Sequence, residues 1–172
     1  MSFKERLAQG HSKEITQSIV NEVCKNPKKM DDFMQIFVNG PMRITQRAAW
    51  PLGFIAQKKP ELLKPYYPIL IKELDNGKNH QAVARNIIRA FQFTDIPKEY
   101  QGVILDRCFK FLSDNNQPIA VKAFSMTVAY NLSKEYPDII PELRASIENL
   151  LPEGSAGIKS RGKKILKQLN KL

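Results

Sequence analysis

The amino-acid sequence predicts an all-α protein built from about four consecutive helical hairpins that follow one N-terminal helix. Three kinds of marker recur along the chain in steps of 33 to 40 residues, and a fixed step of this size is typical of repeat proteins. The apolar residues between the markers have helical spacing. No segment outside the predicted helices alternates apolar and polar residues as a strand does.

The three markers stay in phase with one another. Turn signals occur at Asn39-Gly40, Asn76-Gly77, Asn115-Asn116 and Gly154-Ser155. Basic residues near the start of an apolar segment are Arg47, Arg85, Lys122 and Arg161. Prolines occur at Pro27, Pro60, Pro97 and Pro137. Because proline is favoured at the start of a helix and Gly or Asn after its end, each proline is predicted to open a first helix, A, and each turn signal to separate it from a second helix, B.

The predicted elements follow in order. Residues 12–25 form an amphipathic helix that buries Ile15, Ile19, Val20 and Val23, and this helix is predicted to cap the repeats because no helix A accompanies it. Helices A are predicted over 30–38, 66–74, 102–112 and 140–151, and helices B over 42–57, 80–92, 118–134 and 156–171. The repeat units are then about 27–58, 60–94, 97–135 and 137–172, and all are assigned to one domain over residues 1–172.

The first helix B contains the pair Trp50-Pro51. A proline inside a helix removes a backbone hydrogen bond and costs about 3 kcal/mol unless the helix bends, so Pro51 is predicted to bend this helix. The bend would fit Trp50 into the core beneath the N-terminal helix. In the alternative interpretation, Trp50 is an exposed platform on which a ligand stacks. In the third helix B, the helical spacing predicts that Val128 and Leu132 are buried.

The charge balance is strongly basic. Lysine and arginine number 27 against 17 aspartate and glutamate, which gives a formal net charge of +10. Half of the excess lies in the last 22 residues, where six basic residues accompany one acidic residue, Glu153. This balance favours phosphates, nucleic acid or an acidic protein surface as the partner.

The compartment follows from the cysteines and from the absence of a targeting pattern. Cys24 and Cys108 form no Cys-x-x-Cys pair and lie in apolar helical segments, so they are predicted to be reduced core residues. No apolar run approaches the roughly 20 residues needed to cross a bilayer, and the N-terminus lacks the apolar stretch of a signal peptide. The sequence therefore predicts a cytoplasmic protein without a membrane partner.

Catalytic, cofactor and metal motifs are not recognisable. The two histidines, His11 and His80, have no Cys, His or Asp cluster at ligand spacing around them. The glycines before Lys163 and Lys164 follow no strand and lack the spacing of a phosphate-binding loop. We therefore expect no cofactor and no metal, and we favour a non-enzymatic function.

The stretch "VNGPMRITQRAAWPLGFIA" (38–56) resembles the HEAT repeat family, as do, more loosely, "LDNGKNHQAVARNIIRAF" and "LSDNNQPIAVKAFSMTVAYNL". In that family helix A is followed by a short Asp-, Asn- or Pro-containing turn and by a helix B of small and apolar residues. The resemblance covers residues 27–172. It implies a right-handed α-α superhelix, an armadillo-type HEAT-like solenoid. It also implies a scaffold or adaptor that binds a protein partner on the concave face of its B helices.

The resemblance gives two interpretations of the basic residues. In such repeats the recurring basic position often contacts the turns of neighbouring units, which makes it structural; alternatively, it forms a basic stripe on the binding face. The candidate partner-binding residues are Arg43, Arg47, Trp50, Arg85, Arg89, Lys122, Lys159, Lys163, Lys164 and Lys167.

An alternative function rests on a group of HEAT-like DNA glycosylases, which use a basic channel with aromatics and a catalytic carboxylate. This chain is similar in its short helical repeats and its positive charge. It differs in having a single tryptophan and no Trp-Asp grouping. Nucleic-acid binding through lysine and arginine stays open as the alternative, whereas base excision is not favoured.

Overall fold

The computed structural model describes residues 1–172 and confirms the all-α prediction. It contains ten α-helices and two short 3-10 segments, with no strand. The chain divides into two compact units, Met1–Asp95 and Ile96–Leu172. The assignment of the whole chain to one domain stays a prediction. None of the helices combines the length and the apolar character that crossing a bilayer requires.

The first unit holds six helices. They are α1 Phe3–Gln9, α2 Lys13–Lys25, α3 Lys29–Asn39, α4 Met42–Lys58, α5 Tyr67–Leu74 and α6 Gln81–Phe91. The helices α3 and α4 form the first predicted A–B pair, and α5 and α6 the second. Pro60 opens a 3-10 segment, Pro60–Tyr66, so the α-helical part of the second helix A starts only at Tyr67.

Helix α1 is an element that the sequence analysis did not anticipate. The Ser2 side chain accepts a hydrogen bond from the Glu5 N–H, and the Glu5 carboxylate accepts one from the Ser2 N–H. This reciprocal pair is a capping box, and Phe3 and Leu7 bury the other side of the helix. Helix α2 therefore does have a partner at its N-terminal side. The Ser-x-x-Glu pattern was the available signal, but seven residues are too few to display a helical period.

Helix α4 continues through its internal proline. It is helical from Met42 to Lys58, and Pro51 is buried within it. Burial of Leu52 and Ile55 against the neighbouring helices offsets the backbone hydrogen bond that proline cannot make. The predicted bend at Pro51 stays a prediction.

The second unit holds the remaining two A–B pairs. They are α7 Lys98–Ser113 with α8 Ile119–Ser133, and α9 Ile140–Leu150 with α10 Ala156–Leu169. Val128 and Leu132 are 0% and 4% exposed, so the predicted buried side of α8 is confirmed. A Cβ atom on Gly162 would lie 2.9 Å from the Leu151 side chain, which shows how closely α10 approaches the end of α9.

Each unit contains one cysteine, and both thiols are free. Cys108 is fully buried in the second unit, and its burial raises its pKa to about 12. Cys24 is half-buried in the first unit, where burial also raises its pKa. Both raised pKa values favour the protonated thiol at neutral pH, which is less reactive than the thiolate.

Candidate binding site, an arginine-rich pocket

A pocket of about 400 Å³ lies in the first unit, along the helices α4 and α6. Four of the ten candidate residues line it, namely Arg43, Arg47, Trp50 and Arg85. The other lining residues are His11, Gln46, His80, Ala82 and Asn86. We call this feature the arginine pocket.

Helical periodicity explains which residues face the pocket. The α4 residues Arg43, Gln46, Arg47 and Trp50 follow each other at i, i+3, i+4 and i+7, so they form one stripe along the helix. On α6, Ala82, Arg85 and Asn86 occupy i, i+3 and i+4. The pocket is therefore lined by one face of each of two neighbouring B helices.

Arg47 connects the pocket wall to helix α1. Its guanidinium donates to the backbone carbonyl oxygens of Leu7 and Ala8, at 2.6 and 3.0 Å. The last carbonyl groups of a helix have no partner within the helix, so Arg47 satisfies two of them at the C-terminus of α1. The contact is structural, but it is made with the end of α1 and not with the turn of a neighbouring repeat unit, as the structural interpretation expects.

Trp50 forms the aromatic side of the pocket. Its ring stacks on the His11 imidazole with centroids 4.7 Å apart and planes 5° apart. The Phe54 ring meets Trp50 edge-on at 5.9 Å. Trp50 is half-buried, so it is neither a core residue nor an isolated exposed platform. His11 and Phe54 hold the ring in place, and part of its surface lines the pocket.

Arg89 lies next to the pocket but does not line it. Its guanidinium lies over the Phe54 ring, 4.3 Å from the centroid, and its stem packs on Gly53, where a Cβ atom would be only 3.3 Å away. Burial lowers the pKa of Arg89, and the nearby positive charge of Arg85 lowers it further. No carboxylate is among the groups that shift this pKa.

Arg43 and Arg85 are the free cations of the pocket. Both are exposed, and neither forms a hydrogen bond or a salt bridge with another side chain. No aspartate or glutamate lines the pocket. Its ionisable groups are therefore three arginines and two histidines, and the positive charge is not neutralised within the site.

The same asymmetry extends over the sequence of all the B helices. The helices α4, α6, α8 and α10 contain no aspartate or glutamate, whereas each of the A helices α3, α5, α7 and α9 contains at least one. In the sequence, the absence of acidic residues is most evident at the C-terminus, after Glu153. A count of acidic residues for each predicted helix would have found the pattern.

The remaining candidate residues belong to the second unit, and the arginine pocket does not include them. Lys122 is buried at 7% exposure in α8. Arg161, a recurring basic residue that was not among the candidates, donates to the Thr127 hydroxyl of α8 and lies 6.0 Å from the centroid of the Phe124 ring. The lysines of α10 are exposed, and they are Lys159, Lys163, Lys164 and Lys167.

Four polar residues of the pocket were not among the candidates. His80 is the N-cap of α6, and its Nδ1 accepts a hydrogen bond from the Ala82 N–H at 3.1 Å. Asn86 is 2% exposed, and its Nδ2 donates to the Ala82 carbonyl oxygen at 2.8 Å. His11 and Gln46 complete the set. Their spacing relative to Arg43, Arg47 and Arg85 was visible in the sequence, but only the packing of α4 beside α6 identifies the shared face.

Successive helical hairpins with a polar pocket on the B helices define the class of α-solenoid binding proteins. A family model described as a HEAT repeat domain matches residues 3–169, and the chain therefore belongs to the HEAT repeat family. Members of this family generally mediate protein–protein interactions. No curated protein and no solved structure gives a significant match.

Proposed function

We propose that this chain is a non-enzymatic binding module that holds an acidic region of a protein partner against the helices α4 and α6. The observation that carries the proposal is the pair of unpaired, exposed arginines, Arg43 and Arg85, in a pocket that no carboxylate lines. Membership of a family that generally mediates protein–protein interactions supports a protein as the partner.

Electrostatics explains why such a site selects an acidic partner. Like charges that are close together repel: the pKa of Arg89 is lowered mainly by its burial and in addition by the positive charge of Arg85 beside it. An anion that binds among the arginines removes the repulsion and gains charge-assisted hydrogen bonds. The net charge of +10 also accelerates the approach of an acidic partner at low salt.

Nucleic acid is the second candidate, because the B helices lack acidic residues and the partly open Trp50 ring could stack on a base. Phosphate-backbone binding needs only lysine and arginine, and it depends steeply on salt. Base excision receives no support, since no aspartate or glutamate lines the arginine pocket to act as its catalytic carboxylate.

The free thiols Cys24 and Cys108 fit a reducing compartment. The proposal therefore places the binding event in the cytoplasm.

The test compares two fluorescein-labelled probes, a short peptide of glutamate and glycine and a DNA duplex, by anisotropy over a salt series. We expect the peptide to bind the wild type, and the variant Arg43→Gln/Arg85→Gln to bind at least about tenfold more weakly, because each charge-assisted hydrogen bond is worth about 1.5–3 kcal/mol. Mobility shift of the duplex tests the second candidate.

The matched control is Lys25→Gln/Lys72→Gln, which removes the same charge from exposed residues of α2 and α5 outside the pocket. We expect its affinity for the peptide to stay within about twofold of the wild type, since distant surface charges are screened. An equal loss in both variants would show that net charge, and not the arginine pocket, binds the peptide. Tighter binding of the duplex than of the peptide would favour the nucleic-acid function.

A further inference from the structure

The arginine pocket concentrates more positive charge than one carboxylate can balance. Arg43, Arg47 and Arg85 all line the same pocket of about 400 Å³, and no aspartate or glutamate lines it. A carboxylate carries a single negative charge, whereas a phosphate monoester carries about −1.5 to −2 at neutral pH and offers three acceptor oxygens. The charge of the pocket therefore matches a phosphate monoester better than an aspartate or glutamate side chain.

The type of cation points in the same direction. All three permanently charged side chains of the pocket are arginines, whose planar guanidinium donates two parallel hydrogen bonds to a phosphate. Arg43 and Arg85 have all their donors available. Arg47 is held by the carbonyl oxygens of Leu7 and Ala8, so it contributes charge at a fixed position.

A buried amide adds an independent polar group. Asn86 is 2% exposed and lines the pocket, and its amide uses one N–H on the Ala82 carbonyl oxygen. The second amide N–H and the amide oxygen have no partner within the protein. The Asn86 amide oxygen is not among the buried atoms that lack a partner, so it is open to the pocket and can accept a hydrogen bond from a polar ligand atom there.

The backbone around the pocket is also electropositive. The helices α4 and α6 begin next to Arg43 and Ala82, and neither has an acidic residue in its first turn. The N-terminus of a helix carries a partial positive charge that favours anions. This contribution strengthens a site that the side chains already define.

We infer that the arginine pocket binds the phosphate monoester of a phosphorylated side chain in the protein partner. Arg43 and Arg85 grip the phosphate oxygens, Arg47 supplies a fixed positive charge, and the Asn86 amide contacts a polar atom of the bound group. The Trp50 ring packs against its carbon atoms. This inference rests on the proposed function and deepens it.

A phosphodiester chain fits the site less well. Each of its phosphates carries one negative charge, and successive phosphates need cations along a row. In the pocket the two free cations instead line one cavity of about 400 Å³, and the third arginine is already bound to backbone carbonyl oxygens. The geometry therefore favours one concentrated dianion.

Trp50 provides a direct measurement, because it is the only tryptophan of the chain and it lines the pocket. The experiment follows Trp50 fluorescence while the full chain is titrated with a short phosphoserine peptide. The same titration is made with the unphosphorylated peptide, with the peptide carrying glutamate in place of phosphoserine, and with inorganic phosphate. A DNA duplex is titrated in parallel.

We expect a saturable change with the phosphoserine peptide and at least about tenfold weaker binding of the serine and glutamate peptides. Arg43→Gln/Arg85→Gln should lose at least tenfold in affinity for the phosphopeptide, whereas Lys25→Gln/Lys72→Gln should keep the wild-type value. Arg85→Lys, which retains the charge but not the paired donors, should fall between them. Circular dichroism of each variant checks that it is folded, as expected for exposed positions.

Other outcomes would overturn the inference. Equal binding of the phosphoserine and glutamate peptides would leave the acidic-partner function intact and remove phosphate specificity. Inorganic phosphate binding as tightly as the phosphopeptide would show a small-phosphate site, and a tighter Arg43- and Arg85-dependent binding of the duplex would show a nucleic-acid site. Failure of every acidic probe would remove the proposed function together with the inference.

Discussion

The two compact units use the recurring basic position of helix B in different ways. In the first unit, Arg47 binds the carbonyl oxygens at the end of α1, while Arg85 is exposed beside a pocket. In the second unit, Lys122 is buried, and Arg161 donates to Thr127 on the preceding helix B. The same position of the repeat thus has four different roles. Arg47 caps a helix end, Arg85 is a free cation, Lys122 is buried, and Arg161 connects two helices.

The difference teaches that repeat phase does not specify the role of a side chain. The repeat spacing places one basic residue near the start of each helix B. The neighbouring helices then determine which groups that residue contacts. The first unit combines its basic residues with Trp50 and Asn86 into a lined pocket, whereas the lysines of α10 stand apart as an exposed basic face. We therefore expect the first unit to provide specificity and the basic face of α10 to provide attraction.

The largest expected effect concerns the core of the second unit. Replacing Val128 or Leu132 with alanine should lower the free energy of unfolding by about 2 to 4 kcal/mol, because apolar contacts are lost and a cavity remains. Urea unfolding followed by circular dichroism measures the change. Ile119→Ala in the same helix is the control, since Ile119 is 52% exposed and should matter little. Losses under about 0.5 kcal/mol at both buried positions would contradict the packing of α8.

The next effect tests the contrast between Arg47 and Arg43, which lie one helical turn apart on α4. Arg47→Gln should cost about 1 to 3 kcal/mol of stability, because two carbonyl oxygens of α1 lose their donor. Arg43→Gln should change stability by less than about 0.5 kcal/mol, because Arg43 is exposed and unpaired. The measurement is urea unfolding of both variants. Equal costs would show that Arg47 is not a structural contact.

A smaller effect is expected in the rates at which the single thiol of each unit is modified, because these rates report how tightly each unit is packed. A thiol-specific reagent should modify the half-buried Cys24 at least about tenfold faster than the fully buried Cys108, which corresponds to about 1.4 kcal/mol. Mass spectrometry of peptides from the native protein, sampled over time, measures each rate. Addition of denaturant is the control and should bring the two rates close together. Similar rates in the native protein would mean that the second unit opens as readily as the first.

The smallest expected effect on stability concerns the basic face of α10. Changing Lys159, Lys163, Lys164 and Lys167 to glutamine should alter the free energy of unfolding by less than about 1 kcal/mol, since these side chains are exposed. The same variant should bind the glutamate peptide more weakly at low salt, where screening is least. Identical anisotropy curves for this variant and the wild type would leave the arginine pocket as the remaining candidate surface.

The sequence alone determined the helical architecture. Periods near 3.6 residues and punctuation by Pro27, Pro60, Pro97 and Pro137 are local properties, so they placed the A and B helices to within a few residues of their observed ends. The helices that were missed or that begin later than their proline also have local causes. Helix α1 is too short to show a period, and the 3-10 segments after Pro60 and Pro137 delay two of the A helices.

The tertiary structure decided the site. Arg43 and Arg85 are 42 residues apart in the chain, and only the packing of α4 beside α6 makes them walls of one pocket. The same packing determines that Arg47 meets α1, that Trp50 stacks on His11, and that Asn86 lies buried with part of its amide unused. Helix formation depends on neighbours within a few residues, whereas burial and charge pairing depend on which distant surfaces meet, and that information is not contained in any local pattern.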